Sequence, residues 1–262
     1  MNIHKCVERS GLTVKNIILE PIASADAVLT EEEKEAGVVL VDIGGGTTDV
    51  AIFHEGIIRH TAVIPFGGNV ITEDIKEGCS IMKRKAEMVK QQFGSAVASE
   101  TQENVVVAIP GLKGRPAREI TLRNLASIIQ ARMEEIIELV HFEIRNSGFE
   151  KKLIGGIVVT GGGAQLDHIT QLFEYVTGMD ARIGYPTEHL ANTNNDSIKS
   201  PMFSTGIGLV LKGFEDLEKH ENEKEVPEAA STGAVKTHSE KTRGSFFDSI
   251  IQKGKTWFAE ED

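Results

Sequence analysis

The sequence predicts an α/β fold, and three observations carry that prediction. Two β-branched runs, VVLVDI at 38–43 and GIVVT at 156–160, open directly into glycine clusters, as buried strands ending at a loop do. Stretches between and after them repeat apolar residues at helical spacing. Past Gly213 the composition turns to Glu, Lys, Ser, Thr and His, with too few apolar groups to build a core.

In chain order, the first stretch reads as a helix, a short strand at Ile17 to Leu19, and a second helix beginning after Pro21. VVLVDIGGGTTDVAIFHEGIIRHTAVI then holds three β-branched runs separated by glycine turns. It predicts an antiparallel meander of Val38 to Ile43, Thr48 to Phe53 and Ile57 to Ile64. Asn69 to Phe93 reads as helical, with Met82, Ala86, Val89 and Phe93 on one face. NVVVAI and REIT, on either side of PGLKGRP, read as a hairpin.

A long helix follows, with Leu122, Leu125, Ile129, Met133, Ile136 and Val140 in helical register and Gly148 as its C-terminal stop. IGGIVVTGGGAQL predicts a strand, a glycine loop and a new helix. That helix turns Ile169, Leu172, Phe173 and Val176 inward and ends at Gly178. FSTGIGLVL is a last short apolar helix, and residues 213–244 read as a disordered tether.

The closing segment, GSFFDSIIQKGKTWFAEED, is amphipathic. At about 100° per residue, Phe246, Trp257, Ile250, Gly254, Phe247, Phe258 and Ile251 fall within an arc of about 140°. Lys253 and Lys255 lie just outside the two edges of that arc. This pattern suits a helix lying in a membrane interface, with aromatic side chains at headgroup level and lysine stems reaching outward.

Composition narrows the function. A chain of 262 residues holds one to two domains. The net charge of -11 argues against nucleic acid as a partner, since a phosphate-binding surface clusters Lys and Arg. Cys6 and Cys79 match no metal or disulfide spacing and read as two buried free thiols. No signal peptide is read, and no apolar run approaches a membrane span, so the expected location is cytosolic with peripheral membrane contact.

The strongest chemical signal is Asp42-Ile43-Gly44-Gly45-Gly46-Thr47-Thr48-Asp49. Three glycines between two strands let backbone approach a ligand without a Cβ in the way. Successive N–H groups there form a concave donor cluster suited to phosphate. Asp42, at the end of a buried strand, can face a phosphate-bound Mg²⁺ through water. The pattern is neither a P-loop nor a dinucleotide fingerprint, because a strand follows where both need a helix. A second loop, Thr160-Gly161-Gly162-Gly163-Ala164, would let an adenine or ribose lie against backbone near a helix N-terminus. Glu87 and Lys90, within AEMVK, fall on one face of a helix.

The order DxGGGTTD, AExxK, TGGGA resembles the second half of the actin, sugar-kinase and heat-shock-chaperone ATPase superfamily. Within it, EPIASADAVL, EEKEAGVVLVDIGGGTTDVAIF, IPFGGNVITEDI, AEMVK, GGIVVTGGGAQL and the amphipathic end are similar to the bacterial cell-division FtsA family. The resemblance implies an actin-like (ribonuclease-H-like) fold that binds ATP with Mg²⁺. Asp42 and Gly44, Gly45, Gly46, Thr47 and Thr48 would contact phosphates and metal. Glu87 and Lys90 would approach the ribose, and Gly161, Gly162, Gly163 and Ala164 the adenosine.

The implied organisation places the end of a first half and a connecting helix (Ala23 to Leu29) in 1–36. The second actin-like domain follows at 37–212, with a smaller inserted subdomain around 75–120. A linker occupies 213–244 and a membrane-targeting helix 245–259, whose contacts would be Phe246, Phe247, Ile250, Ile251, Lys253, Trp257 and Phe258. The family's first half, with an earlier phosphate loop and the other wall of the cleft, has no counterpart in this sequence, so nucleotide binding is expected to need it.

The implied role is a nucleotide-binding scaffold, with weak ATPase activity at most. It would polymerise with itself, bind the C-terminal tail of FtsZ and other division proteins, and tie the FtsZ ring to membrane lipid at the division site. Arg115, Arg118 and Arg123, in the insert from Pro110 to Arg123, are candidates for an acidic tail, against ordinary solvated arginines. Two other classes share the glycine loops: a sugar or acetate kinase, which would lack the amphipathic end, and a pilus-assembly ATPase-like adaptor.

Overall fold

The computed structural model describes residues 2–102, 104–110, 116–187 and 196–224. The chain divides into two compact units, Met1–His220 and Glu221–Asp262. The amphipathic segment and the linker beyond 224 lie outside the described residues.

The elements run α1 (Asn2–Arg9), α2 (Glu20–Val28), α3 (Glu31–Ala36), β1 (Val38–Ile43), β2 (Thr48–His54) and β3 (Ile57–Ile64). Then come α4 (Gly68–Gly78), α5 (Lys83–Phe93), β4 (Val106–Ile109), β5 (Arg118–Thr121) and α6 (Leu122–Asn146). The last are β6 (Ile157–Thr160), α7 (Ile169–Thr177), β7 (Ala181–Ile183) and α8 (Ser204–Lys224).

Five strands form one sheet in the order β3-β2-β1-β6-β7. The expected meander of β1, β2 and β3 is antiparallel, and β6 and β7 add in parallel on the other side of β1. Every residue of β1 is buried, because helices cover both faces. Strand alternation sorts its side chains. Val39, Val41 and Ile43 join the larger core with α4 to α7, whereas Val38 and Leu40 join a smaller one with α2. Asp42 continues the phase of Val38 and Leu40 and so points toward α2 and α8.

α6 is the main support of the larger face. Its stripe of Leu125, Ile129, Met133, Ile136, Val140 and Ile144 is fully buried. Thr121 caps its start by accepting from the Asn124 N–H at 3.2 Å, and Gly148, at φ +75°, follows its end. The β4–β5 hairpin forms as expected, with Ile109 and Ile120 entering the same core as Ile75, Ala86 and Val89.

On the opposite face, Lys34 is nearly buried and pairs with Asp26 and Glu31 at 2.9 and 2.8 Å. Lys212 of α8 also reaches Asp26, at 2.7 Å. α8 crosses α2 closely enough that a Cβ at Gly208 would stand 1.7 Å from the Ala23 carbonyl oxygen.

Five expectations need correction. No strand forms at 17–19, because no neighbouring strand is there to pair with it and Ile17 and Leu19 are exposed. α2 begins at Glu20, with Pro21 inside its first turn, where a missing N–H costs nothing. The single helix over 69–93 is two, broken after Gly78 where Ser80 takes a left-handed φ of 49°. Cys6 is exposed rather than buried. The last short helix instead runs to Lys224, so the beginning of the expected tether at 213–224 is helical.

Candidate nucleotide site

β1 and β6 are adjacent and parallel, and Asp42 pairs with Thr160 at their C-terminal ends. The two glycine loops therefore leave the sheet side by side. That is the edge at which open parallel sheets bind ligands.

In the first loop, the Gly44 N–H donates to the Thr47 carbonyl at 2.9 Å. The Gly44 and Gly45 carbonyls accept from Gly68 and Asn69 N–H at 2.9 and 2.8 Å, which pins α4 against the loop. A Cβ on Gly46 would meet nothing within 4 Å, and one on Gly45 only the Asn69 side chain at 3.5 Å or beyond. The fold itself does not require glycine at 45 and 46; an approaching ligand would.

The second loop differs. A Cβ on Gly161 would lie 2.3 Å from Asp42 Oδ1, and one on Gly163 would lie 2.3 Å from Ile43 Cγ2. These two glycines are needed by the strand beneath them, while Gly162 has open space above it. The helix expected directly after this loop starts only at Ile169. A 3-10 turn, Gly162–Gln165, intervenes because its bonds let the chain turn over β1.

α5 supplies the facing wall. Lys90 Nζ reaches Glu87 Oε2 at 2.9 Å, the Gly68 carbonyl at 2.7 Å and Thr72 Oγ1 at 2.8 Å. A cavity of about 620 Å³ is lined by Asp42, Gly44, Gly45, Glu87, Lys90 and Gly161, Gly162 and Gly163 among the expected residues. Gly46 and Thr47 sit exposed beside it, whereas Thr48 is buried and donates to the Phe66 carbonyl at 2.9 Å. Ala164 is buried under the loop. Of the arginines, Arg118 lies exposed on β5, Arg123 is in α6, and Arg115 is outside the described residues.

The cavity also has walls that the sequence reading missed: Glu20, Asn69, Gln165, Met202 and Thr205. Asn69 sits in the IPFGGNVITEDI stretch, so a signal was present there. Thr205 lies far along the chain from Asp42 and carries no motif. It arrives because Thr160 Oγ1 and Ser204 Oγ meet at 2.6 Å and the Gly161 N–H donates to the Pro201 carbonyl at 3.2 Å.

Asp42 is 7% exposed. Its Oδ2 accepts from Ser24 Oγ at 3.1 Å, and Ser24 and Thr205 hydroxyls meet at 2.9 Å. Burial pushes its pKa up to about 6, and the Glu20 and Asp49 charges add to that, against the pull of the Ser24 and Thr205 hydroxyls. Glu20 is itself raised, by burial and then by Asp49. Among the described residues no basic side chain pairs with any of these three carboxylates.

Three crowded carboxylates without a counter-charge fit a hydrated divalent cation. Among the described residues no three His, Cys, Asp or Glu side chains converge to ligate one directly, so the fit is through water. Asp42 would hold such an ion, and the ion would neutralise phosphate charge.

This carboxylate has a sign-definite cost. Its proton is held more tightly in the folded chain, at about 6, than at the ordinary 3.8, so stability falls as pH rises through that window and is level above it. At neutral pH the penalty is up to roughly 3 kcal/mol. Asp42→Asn should therefore unfold at a higher temperature than the parent near pH 7.5 and at about the same temperature near pH 4. Thermal melts at the two pH values check this, and an equal shift at both would show that charge is not the cause.

Residues 39–208, well over half of the chain, match the family model described as Cell division protein FtsA. The chain belongs to the FtsA family. It is 44% identical over 214 residues to the cell division protein FtsA of Pseudomonas aeruginosa, covering 82% of this chain and 51% of that protein. With the Borreliella burgdorferi FtsA it is 37% identical over 262 residues, covering 99% of this chain and 59% of that one. The chain thus spans about half the length of the curated relatives it matches.

Among solved structures, MreB 5 of Spiroplasma citri bound to AMPPNP superposes with a TM-score of 0.68 at 24% identity, covering 85% of this chain and 66% of that one. A PilM-PilN type IV pilus biogenesis complex gives 0.60 at 18%, covering 79% and 55%. At such identities the likeness is one of fold, and it shows the actin-like α/β architecture expected from the sequence.

Proposed function

We propose that this chain acts in bacterial cell division as one wall of an ATP-binding, actin-like scaffold. The observation that carries the reading is the convergence of both glycine loops and Glu87 on one cavity at the parallel-strand edge of the sheet. Phosphates would lie over Gly44 to Gly46, where a Cβ at 46 would meet nothing within 4 Å and one at 45 only the Asn69 side chain, at 3.5 Å or beyond. The adenosine would lie along Gly162, and its ribose beside Glu87. The MreB homologue crystallised with AMPPNP shares this fold, which supports a nucleotide as occupant.

The scaffold would self-associate, engage the C-terminal tail of FtsZ and other division proteins, and attach to the cytoplasmic face of the membrane at the division site. Attachment falls to residues 245–259, whose apolar arc of Phe246, Phe247, Ile250, Ile251, Trp257 and Phe258 suits a membrane interface. Phosphoryl transfer is not the main task in this reading: the amphipathic end favours a tethered scaffold over a kinase.

Calorimetry tests the site. A protein that carries this chain together with the family's first half, termed full-length, should bind ATP with Mg²⁺. Asp42→Ala or Gly45→Val should each abolish binding, one by removing the water-mediated metal contact and the other by filling the phosphate site. The 262-residue chain alone should bind weakly or not at all, for want of the second wall. Micromolar binding by the isolated chain would contradict that, and unimpaired binding by both variants would refute the site.

A further inference from the structure

Thr72 lies on α4, 1% exposed, between the two expected ribose-side residues. Its hydroxyl meets three groups: Lys90 Nζ at 2.8 Å, the Gly68 carbonyl at 3.0 Å, and Glu87 Oε2. A hydroxyl has one proton to give. The carboxylate is the stronger acceptor, and the Gly68 carbonyl already takes a bond from Lys90 at 2.7 Å. The proton therefore goes to Glu87, and the oxygen accepts from Lys90.

The three Lys90 protons are then all engaged inside the protein, on Gly68, Thr72 and Glu87. Both side chains line the cavity, but that of Lys90 is only 12% exposed, whereas that of Glu87 is 37% exposed. The other Glu87 oxygen accepts from Gln91 Nε2 at 2.8 Å and keeps a free lone pair. Glu87 is thus the acceptor offered to a ligand, and Lys90 is a strut.

We propose that Thr72 is a positioning residue of the nucleotide site: its buried hydroxyl, bridging Lys90 and Glu87, aims the Glu87 carboxylate at the cavity as the acceptor for ribose hydroxyls. This rests on the nucleotide reading above. Glu87 titrates below the ordinary carboxylate range, despite the burial that opposes it, because Thr72 and Lys90 donate to its charged form. The hydroxyl, rather than the volume of the side chain, is the active part.

Two measurements test it together. In the 262-residue chain without nucleotide, carbon-detected NMR of the Glu87 carboxyl should show its titration moving upward in Thr72→Val and staying in place in Thr72→Ser. In the full-length protein, displacement of an ATP probe labelled on its γ-phosphate should show Thr72→Val losing about tenfold in affinity for ATP, with little change for 2′,3′-dideoxy-ATP. Thr72→Ser should match the parent for both. An unmoved Glu87 titration in Thr72→Val, or equal losses for the two nucleotides, would overturn the proposal. If the parent bound neither nucleotide while Glu87 still shifted, the nucleotide reading would fall and the hold of Thr72 on Glu87 would stand.

Discussion

Gly161→Ala should cost the chain about 3 kcal/mol or more, enough to shift its urea midpoint by a full molar or more. Two effects add. Gly161 has a φ of +82°, where an L side chain is strained, at about 1 kcal/mol. The larger effect is steric: the new Cβ would lie 2.3 Å from Asp42 Oδ1 and 2.7 Å from the Ile43 carbonyl oxygen. Neither neighbour can step aside easily. Asp42 pairs with Asp49 on one side and Thr160 on the other, in the middle of the sheet.

Relief must therefore come from lifting the second glycine loop, which would pull Gly161 from Pro201 and loosen the start of α8. The nucleotide binding proposed for the full-length protein should fall with it. Gly162→Ala is the control, because a Cβ there meets nothing within 4 Å; its urea midpoint should stay near that of the parent. If Gly161→Ala unfolds at the parent's midpoint, the close approach to β1 is not what demands glycine.

The same pair of glycines shows what the sequence made legible. β1, β2 and β3 could be placed almost to the residue, because β-branched runs bounded by glycine turns are a local signal. Both glycine loops could be located for the same reason. The division of labour within TGGGA could not, since Gly161 and Gly163 answer to Asp42 and Ile43, more than a hundred residues earlier. Ser24 and Thr205 stayed invisible because a hydroxyl beside a buried carboxylate leaves no periodicity or spacing.

Two misreadings were local. The break between α4 and α5 has a stop signal at Gly78, but the apolar periodicity of Ala86 and Val89 masked it. Composition alone ends α8 at Gly213, although Phe214 and Leu217 continue a helical spacing from Val210. Lys212 and Glu215 pair across one turn there at 3.0 Å. Charged helices and charged tethers share a composition, and only the spacing of their few apolar groups separates them.

Trp257→Glu should release the full-length protein from lipid vesicles, and Phe247→Asp should do the same. Both residues lie in the segment whose attachment is proposed from sequence, within the apolar arc that also holds Phe246, Ile250, Ile251 and Phe258. Each such side chain could contribute up to roughly 1.5–3 kcal/mol if fully buried. Partial insertion and the cost of ordering a short helix, marginal in water, offset much of that. One copy should bind weakly, so a single charge placed in the arc is enough to tip the balance. A self-associated array presenting many copies should bind firmly through avidity. Lys253 and Lys255 are outnumbered locally by Glu260, Glu261 and Asp262, so burial rather than charge should dominate. Sedimentation with vesicles should therefore survive moderate salt, which screens lysine–headgroup attraction. Loss of the parent's binding in salt would make the contact electrostatic. A Trp257→Glu protein that sediments like the parent would remove membrane attachment from this segment.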